Sequence, residues 1–481
     1  MRSTLPIMKE KMKFCAKRTL PLAGLVPRII IHGGAGNITP TNMTEETYRS
    51  HRAALLDIIC RVNKYMTTPC KARGALPSAL QTAVFAVSLL EDNPLFNSGR
   101  GAVFTRDGTN ELEASVMVSR GLHKRTVGVL GVQHVRNPVK LAAAILENGD
   151  TDLDPSRDQS TGTKTSYALN LDVPSAQGHT MYYGATAERL AASYGLDIVL
   201  RSYFFTQKRW DEHQRGLQCE KDRNGSAHWS SKEYIPQGTC GAVALDATGL
   251  VCVATSTGGL TNKLTGRLGD TPTPGAESWA EEWEDTPHLA ARILGLENVT
   301  GNINRPIHTG VSFSDALFGL LADCLPTPFM YTPIASSEST QTSTKVVSIS
   351  RAMGVSGTGN GDSFLRTAAG HTTGALARFC PLPTQAAVSA VSGRGGALQQ
   401  SAGDRFGGQE KARPDHNCGG MFRAWVNDDG KAIMRIFNGE PELGDSVRAM
   451  ESQREEVCQF SGVEDDNPWM RVRGYRSKDM Q

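Results

Sequence analysis

Apolar residues recur along the chain at two spacings, which predict a mixture of helices and strands. Helical spacing, with an apolar residue at every third or fourth position, predicts helices over 44–66, 78–91, 138–148, 185–194 and 386–392. Short apolar runs predict strands over 27–36, 111–118 and 126–135, and paired runs around a turn predict hairpins over 239–255 and 419–438. Regular structure is therefore expected over most of the chain between residues 27 and 438.

Other stretches have compositions that predict loops and extensions. Residues 195–237 turn polar and irregular, which predicts a flexible surface linker, and 335–344 (ASSESTQTST) is a low-complexity segment. Helical spacing occurs once more between residues 286 and 322. We expect residues 1–27 to form an N-terminal extension and the charged residues 451–481 to form a peripheral tail.

Composition and charge exclude several classes of protein. The 51 Lys and Arg residues nearly balance the 49 Asp and Glu residues, and the net charge of +2 argues against binding to nucleic acid or to a membrane surface. The apolar runs are much shorter than the ~20 residues of a membrane helix. Charged residues make up 21% of the chain and hydrophobic residues 39%, which is too apolar for a disordered protein.

The cysteines and the N-terminus bear on the cellular compartment. The ten cysteines are scattered with no C-x-x-C pair, so we expect reduced thiols in an intracellular protein rather than a zinc site or a disulfide framework. Residues 1–24 are basic but lack the continuous apolar core of a secretory signal. A cytoplasmic protein is expected, and a mitochondrial presequence is the alternative.

Several familiar catalytic motifs are incomplete or absent. His32–Gly34 (HGG) is similar to the oxyanion loop of some lipases, but the chain has no G-x-S-x-G nucleophile elbow. Gly357–Gly361 (GTGNG) begins like a dinucleotide loop but lacks the third glycine at the required spacing. Neither G-x-x-x-x-G-K-[ST] nor H-E-x-x-H occurs. These glycines, taken one at a time, indicate tight turns.

The Gly238-Thr239 junction suggests a different chemistry. It lies where the polar stretch ends and a hairpin pattern begins. A threonine hydroxyl is a weak nucleophile unless a base lies beside it. Cleavage before Thr239 would free an α-amine with a pKa of about 7.7–8, which can act as that base near neutral pH. One residue would then supply both the nucleophile and the base.

Eight segments, taken in order, resemble the plant-type asparaginase and isoaspartyl aminopeptidase branch of the N-terminal nucleophile hydrolases. They are His32–Gly36 (HGGAG), Asn97–Asp107 (NSGRGAVFTRD), Glu111–Met117 (ELEASVM), Gly238–Asp246 (GTCGAVALD), Ala254–Gly259 (ATSTGG), Asn262–Pro274 (NKLTGRLGDTPTP), Gly357–Gly361 (GTGNG) and the late GGMFRAW strand. They span most of residues 28–440. The resemblance implies a self-processing hydrolase that releases aspartate from L-asparagine, from β-aspartyl dipeptides, or from both, and that needs no cofactor.

The resemblance assigns roles around the nucleophile. Thr239 corresponds to the nucleophile that is exposed when the Gly238–Thr239 bond is cleaved autocatalytically. Thr257 corresponds to a hydroxyl that orients the nucleophile and its amine, and Asn97 to a residue that supports it. Thr358 and Gly359 correspond to the oxyanion donors, a hydroxyl and a backbone N–H.

Further roles concern the substrate and a metal. Arg267 corresponds to the residue that binds the substrate α-carboxylate, to which a planar guanidinium can donate two parallel hydrogen bonds. Asp270 corresponds to the partner of the substrate α-ammonium. The FNSGRGAVF loop matches the family's structural sodium loop, which implies a sodium ion held by backbone carbonyls. The expected ligands are the carbonyls of Phe96, Asn97, Val103 and Phe104.

The same resemblance implies an αββα four-layer sandwich, an α+β fold in which helices cover two packed sheets. Residues 28–238 would form the first half of this catalytic domain, and 239–450 the second half with an insertion at 279–352. The insertion begins near the substrate loop and ends near the oxyanion element, so it could cap the pocket or be a tolerated surface excursion. A homodimer of processed units is expected, together with small-molecule substrates.

Two alternatives stay open within the resemblance. Asn360 and Asp362 stand where plant-type asparaginases usually have His and Glu, and T-G-N-G-D resembles the glycosylasparaginase branch instead. A threonine aspartase, which cleaves proteins, ranks third, because its segment after the nucleophile diverges from the G-R-x-G-D-x-P found here. Glu113 also departs from the family pattern, which has Asp at that position.

Overall fold

The computed structural model describes residues 25–36, 43–70, 74–120, 125–152, 176, 178–222, 238–285, 349–359, 361–380, 384–393, 396–401, 420–426, 431–438, 446–451 and 475–476. These residues form both helices and two β-sheets, which confirms the α+β class. Among them, no helix combines the length and the apolar character needed to cross a membrane.

The larger sheet has nine strands within the described residues. In spatial order they are β12 (Tyr475–Arg476), β10 (Lys431–Asn438), β9 (Gly420–Val426), β1 (Arg28–Gly36), β5 (Cys240–Leu245), β6 (Val251–Thr257), β2 (Leu112–Val118), β3 (Thr126–Val132) and β4 (Met181–Tyr183). Neighbouring strands are antiparallel except for β3 and β4. The predicted hairpin over 239–255 is the central β5–β6 pair.

Helices pack against one face of this sheet. They are α1 (Glu45–Thr67), α2 (Ala79–Glu91), α3 (Pro138–Asp152) and α4 (Gly184–Ser193), and they share a buried apolar cluster with the strands. Ser78 caps α2 by accepting the Gln81 N–H, and the Gln81 side chain accepts the Ser78 N–H in return. Asp246, in the β5–β6 turn, accepts the Ala79 N–H at 2.9 Å and so fixes α2 to the sheet.

A smaller sheet contains β7 (Ser278–Asp285), β8 (Ile349–Thr358) and β11 (Ser446–Glu451), with β8 in the middle. Four helices follow β8 along the chain: α6 (Gly361–Thr367), α7 (Ala369–Phe379), α8 (Thr384–Ser392) and α9 (Ala397–Ser401). Helix α5 (Gln207–Asp222) comes earlier in the chain, between α4 and β5. Phe364, Met353 and Val355 belong to one buried cluster that joins these helices to the smaller sheet.

A third apolar cluster connects strands of the two sheets. Alternate residues of β5 and β6 point to opposite sides, as expected for extended strands. Ala242, Ala244, Cys252 and Ala254 belong to the cluster with the helices of the larger sheet. The alternate residues on the opposite side of β5 and β6 are Val243, Leu245, Val251 and Val253. They form a separate cluster with two alanines of the smaller sheet, Ala280 and Ala352.

The structure differs from the sequence prediction for the linker at 195–237. Residues Arg201–Phe204 form a 3-10 turn and Gln207–Asp222 form helix α5. The polar sequence is misleading because three of its polar side chains are buried. Arg209 donates to the Gly101 carbonyl and to Glu212, and His213 hydrogen-bonds Asn262. Residues 223–237 lie outside the described residues.

Other predicted segments are described only in part. The ends of the insertion predicted at 279–352 belong to β7 and β8, and the predicted tail contains the short strand β12, which pairs with β10. Of residues 284–350, only 284–285 and 349–350 are described. The predicted helical spacing over 286–322, the low-complexity segment at 335–344 and residues 1–24 lie outside the described residues.

Candidate active site

Gly238 and Thr239 directly precede β5, at the centre of the larger sheet. The Gly238 N–H donates to the Ala35 carbonyl at 2.9 Å, which ties the junction to β1. A side chain at Gly238 would overlap Ala35 and the Thr358 hydroxyl. Gly34 has a φ of +98°, and a side chain there would overlap the Gly238 carbonyl oxygen. The glycines of HGGAG therefore let β1 approach the predicted scissile bond closely.

The Thr239 hydroxyl is buried and begins a chain of two hydrogen bonds. Its Oγ1 lies 2.9 Å from Oγ1 of Thr271, and the Thr271 hydroxyl donates to Oε2 of Glu277 at 2.6 Å. Glu277 is completely buried. Burial is the main cause that raises the pKa of Glu277 well above its ordinary value, and the neighbouring Asp270 carboxyl adds to it.

Thr257 and Asn97 support the loop that leaves β6. The pairing of Cys240 with Ser256 places Thr257 opposite Thr239 at the ends of adjacent strands. The Thr257 hydroxyl accepts the Gly259 N–H at 3.0 Å, and the Asn97 amide donates to the Gly259 carbonyl at 2.7 Å. Asn97 thereby holds the Gly258–Gly259 turn beside the strand that carries Thr257.

Arg267 and Asp270 converge on the start of α6. A side chain at Gly361 would overlap the Asp270 carboxyl and contact the Arg267 guanidinium. Nη2 of Arg267 lies 3.6 Å from the exposed Asp362 carboxylate. Asp270 is buried, and burial raises its pKa to about 7. The negative charge of Glu113 raises this pKa further, while Arg267 lowers it.

A buried ion pair underlies this loop. Nζ of Lys263 and Oε1 of Glu113 are 3.6 Å apart, and both side chains are 1% exposed. The Lys263 ammonium also donates to the Glu111 carbonyl at 3.0 Å, and Glu113 accepts the Gly269 N–H at 3.1 Å. Burial lowers the pKa of Lys263. The departure from Asp to Glu at position 113 thus places a carboxylate against the backbone between Arg267 and Asp270.

Carbonyls of the loop predicted to hold sodium accept hydrogen bonds from other parts of the protein. The Asn97, Val103 and Phe104 carbonyls accept from Gly258 N–H, the Asn110 amide and Asn262 N–H. The buried guanidinium of Arg209 donates to the Gly101 carbonyl in the same loop at 2.8 Å. Because a carbonyl oxygen has two lone pairs, the sodium ion expected at the carbonyls of Phe96, Asn97, Val103 and Phe104 stays a prediction. Within the described residues, no group of three or more His, Cys, Asp or Glu side chains could hold a metal.

The structure thus brings most of the predicted site residues together. Thr358 lies against Gly238, and Asp270 precedes the Thr271 that contacts Thr239. Gly359 follows Thr358 at the end of β8. Three residues of this site were not predicted from the sequence: Thr271, Glu277 and Lys263. Their signal is weak, because a threonine, a glutamate and a lysine in a loop are ordinarily exposed residues and only the fold buries them.

The chain is similar to a known protein family and to several known enzymes. The family model described as Asparaginase matches residues 25–153 and 167–284. An isoaspartyl peptidase of Salmonella typhimurium is 36% identical over 307 residues, which are 62% of this chain and 84% of that protein. An isoaspartyl peptidase of Escherichia coli is 37% identical over 308 residues, which are 62% of this chain and 82% of that protein. A plant-type L-asparaginase of Pyrococcus furiosus is 31% identical over 261 residues, which are 53% of this chain and 70% of that protein.

Proposed function

The chain belongs to the asparaginase family, which confirms the resemblance seen in its motifs, and from this premise we propose how its residues perform the reaction. The protein is an amidohydrolase that acts on small molecules. It hydrolyses the side-chain amide of L-asparagine and the isopeptide bond of β-aspartyl dipeptides, and aspartate is the shared product. Thr239 is the nucleophile, once the Gly238–Thr239 bond has been cleaved.

One observation carries this proposal. The buried Thr239 hydroxyl lies at the head of a central strand, and three sets of residues surround it from separate parts of the chain. The Gly34–Ala35 backbone and Thr358 contact Gly238, and Thr271 contacts Thr239 itself. The Arg267–Asp270 loop continues directly into Thr271. A nucleophile, an oxyanion donor and a charged recognition loop are thus contiguous.

Maturation converts the buried hydroxyl into an N-terminal nucleophile. Oγ1 of Thr239 attacks the Gly238 carbonyl carbon, the C–N bond breaks, and the acyl group passes from nitrogen to oxygen. Water then hydrolyses the ester and leaves a free α-amine on Thr239. The close approach of β1 to the Gly238 carbonyl supports this step, because a fixed carbonyl lets the attacking oxygen stay in line.

Turnover uses the new amine. Arg267 binds the substrate α-carboxylate and Asp270 binds the α-ammonium, so the side-chain carbonyl faces Thr239. The neutral amine takes the hydroxyl proton as Oγ1 attacks, and then gives it to the leaving nitrogen. Thr358 and the Gly359 N–H donate to the oxyanion. Water releases aspartate by the reverse sequence, with Thr257 and Asn97 holding the nucleophile end of the sheet.

The wider architecture is part of the proposal. The three apolar clusters, one on each helical side and one between strands of the two sheets, support an αββα four-layer sandwich. A homodimer of processed units and a cytoplasmic location remain predictions from the family resemblance and the N-terminal sequence. No step of this mechanism uses a metal ion.

Intact mass and a substrate panel test the proposal together. The purified wild-type chain should yield two fragments that meet at Gly238–Thr239, whereas Thr239→Ala should stay intact and release neither ammonia from asparagine nor aspartate from β-aspartyl dipeptides. A wild-type chain that stays whole like Thr239→Ala would refute self-processing. Release of a glycan amine from glycosylated asparagine would favour glycosylasparaginase, and cleavage of a protein after Asp would favour the threonine aspartase.

A further inference from the structure

Autocleavage poses a problem that the mature enzyme does not have. In the uncut chain the nitrogen of Thr239 is part of the Gly238–Thr239 amide, so it carries no free lone pair with which to accept a proton. The α-amine that serves as base in turnover appears only after cleavage. A different group must therefore take the Thr239 hydroxyl proton during the first attack.

Within the part of the chain that the structure describes, the Thr271 side chain is in position for this task. Oγ1 of Thr271 is 2.9 Å from Oγ1 of Thr239, and the Thr271 hydroxyl donates to Glu277 Oε2 at 2.6 Å. Thr271 therefore has its own proton directed at a carboxylate and its lone pairs free to accept from Thr239. The Glu277 carbonyl also accepts the Gly357 N–H at 2.9 Å, which fixes the start of β7 beside the strand that ends in Thr358.

Glu277 is difficult to explain as a purely structural residue. A fully buried carboxylate is usually compensated by a cation or by several donors. Here no Lys or Arg of the described chain forms an ion pair with Glu277, and its Oε1 has no hydrogen-bond partner there. The nearby charges that act on it are the carboxyls of Asp270 and Glu113, and only the neutral hydroxyls of Thr271 and Thr239 lower its pKa by hydrogen bonding. Burial raises the pKa of Glu277, which makes its carboxylate a stronger base when it is ionised.

We propose that Thr271 and Glu277 form the proton relay that activates Thr239 for cleavage of its own Gly238–Thr239 bond, an inference that rests on the proposed self-processing. As Oγ1 of Thr239 bonds to the Gly238 carbonyl carbon, its proton passes to Oγ1 of Thr271. The Thr271 proton passes to Glu277 Oε2 at the same time. When the C–N bond breaks, the relay returns one proton to the departing nitrogen, so the products are an ester and an amine and Glu277 is a carboxylate again.

Thr271 is a catalytic residue in this scheme because it contacts the reacting oxygen. Glu277 acts through it and is a positioning residue that also stores the proton. The scheme requires a hydroxyl at residue 271 and a carboxylate at residue 277, and substitutions of nearly the same shape test each requirement. Thr271→Val removes only the hydroxyl, and Thr271→Ser keeps it. Glu277→Gln can still accept the Thr271 hydrogen bond but cannot take up a proton from it.

The test follows cleavage of the full chain by intact mass over time after purification. Glu277→Gln and Thr271→Val should slow cleavage by about 100-fold or more, as expected for loss of a general base, whereas Thr271→Ser should cleave within a few-fold of the wild type. The matched control is Glu281→Gln, a buried glutamate four residues further along the chain, on β7, that accepts hydrogen bonds from Trp279 and Arg378 instead, and it should cleave at the wild-type rate. Thermal unfolding identifies any variant that does not fold.

Hydroxylamine separates the two halves of the reaction, since it cleaves the ester faster than water does. The relay acts before the ester exists, so hydroxylamine should not restore cleavage in Glu277→Gln. Restoration would overturn the proposal, as would wild-type cleavage of Glu277→Gln or equal rates for the valine and serine variants of Thr271. If Glu277→Gln does not fold, the cleavage rates of Thr271→Val and Thr271→Ser decide whether the relay operates. A wild-type chain that never cleaves would refute the proposed self-processing itself, a separate result.

Discussion

The backbone N–H of Ala35 donates a hydrogen bond of 3.1 Å to the hydroxyl oxygen of Thr358, which joins the end of β1 to the end of β8. The carbonyl of the same Ala35 accepts the N–H of Gly238. Ala35 therefore holds the predicted oxyanion residue and the predicted scissile residue at once. Because the Thr358 oxygen accepts from Ala35, the hydroxyl proton is left to be donated to another acceptor, and the hydroxyl lies so near Gly238 that a side chain there would overlap it.

Replacing Thr358 by Val should therefore lower kcat by about 10²- to 10³-fold, the usual cost of removing one oxyanion donor. The Val side chain keeps the buried shape of Thr358, so KM should change little. Steady-state kinetics with asparagine, normalised to the cleaved fraction of the enzyme, measure both constants.

Thr358→Ser is the control, since it keeps the hydroxyl and should retain kcat within about 10-fold. A Thr358→Val enzyme that keeps the wild-type kcat per cleaved chain would remove Thr358 from the oxyanion site and leave only the Gly359 N–H there.

Gly34→Ala should stop cleavage of the Gly238–Thr239 bond. A Cβ at residue 34 would overlap the Gly238 carbonyl oxygen and push the scissile carbonyl away from Thr239. The positive φ of Gly34 adds backbone strain of about 1 kcal/mol or more for any other residue. Intact mass after prolonged incubation measures the cleaved fraction.

Gly195→Ala is the matched control. Gly195 has a φ of +70°, so alanine is strained there as well, but no atom lies within 4 Å of its added Cβ. Both variants should lose stability in thermal unfolding, whereas only Gly34→Ala should stay uncut. Equal cleavage of the two variants would show that strain, not contact with the carbonyl, is what matters at residue 34.

The pH dependence of kcat/KM should show a group with a pKa of about 7 that must be ionised. Burial raises the pKa of Asp270 to about 7, so the carboxyl is neutral below this pH and no longer attracts the substrate α-ammonium. The value of kcat/KM for asparagine should therefore rise as the pH increases through 7. It reports the free enzyme, in which no substrate charge shifts this pKa.

The freed amine of Thr239 must be neutral to act as a base, so kcat/KM should rise a second time at about pH 8. A substrate analogue that lacks the α-amino group distinguishes these two ionisations. It has no ammonium for Asp270 to bind, so its hydrolysis depends only on the Thr239 amine. Its profile should lose the rise near pH 7 and keep the other. Identical profiles for both substrates would exclude Asp270 as the ammonium partner.

The sequence predicts the catalytic strands well and the pocket walls poorly, for physical reasons. Residues Cys240–Leu245 and Val251–Thr257 are short apolar runs on either side of a Gly-containing turn, which is a local signal that the structure confirms. β8 (Ile349–Thr358) has no comparable signal, because RAMGVSGT contains two glycines and two small polar residues. It forms a strand because it pairs with β11, far away in sequence.

The same contrast holds at the site. Thr239, Thr257, Arg267 and Asp270 stand in recognisable motifs, so a resemblance identifies them. Glu277 belongs to no motif, and nothing in the letters GAESWAEE indicates which of its three glutamates is next to the nucleophile. That depends on a turn, where the Thr273 N–H donates to the Asp270 carbonyl and Thr271 faces Glu277. Side-chain networks of this kind depend on tertiary geometry, which periodicity does not encode.

A last prediction concerns Glu91, a fully buried carboxyl at the end of α2. Its Oε1 accepts the Val139 N–H at the start of α3, and burial raises its pKa to about 8 from 4.5. Between these values the folded chain binds more protons than the unfolded chain. The free energy of unfolding therefore falls as the pH rises, by at most about 1.4 kcal/mol per pH unit from this group. Glu91→Gln keeps an acceptor for Val139 and removes the ionisation.

Urea unfolding of the uncut Thr239→Ala chain, with and without Glu91→Gln, tests this directly, because the other groups titrate alike in both proteins. Relative to the parent, the Gln variant should gain stability steadily from pH 5 to pH 8 and gain no more above it. Glu46→Gln, an exposed position at the start of α1, is the control and should parallel the parent. A constant difference between the Glu91→Gln variant and its parent across this range would mean that Glu91 ionises in the folded protein as readily as in the unfolded one.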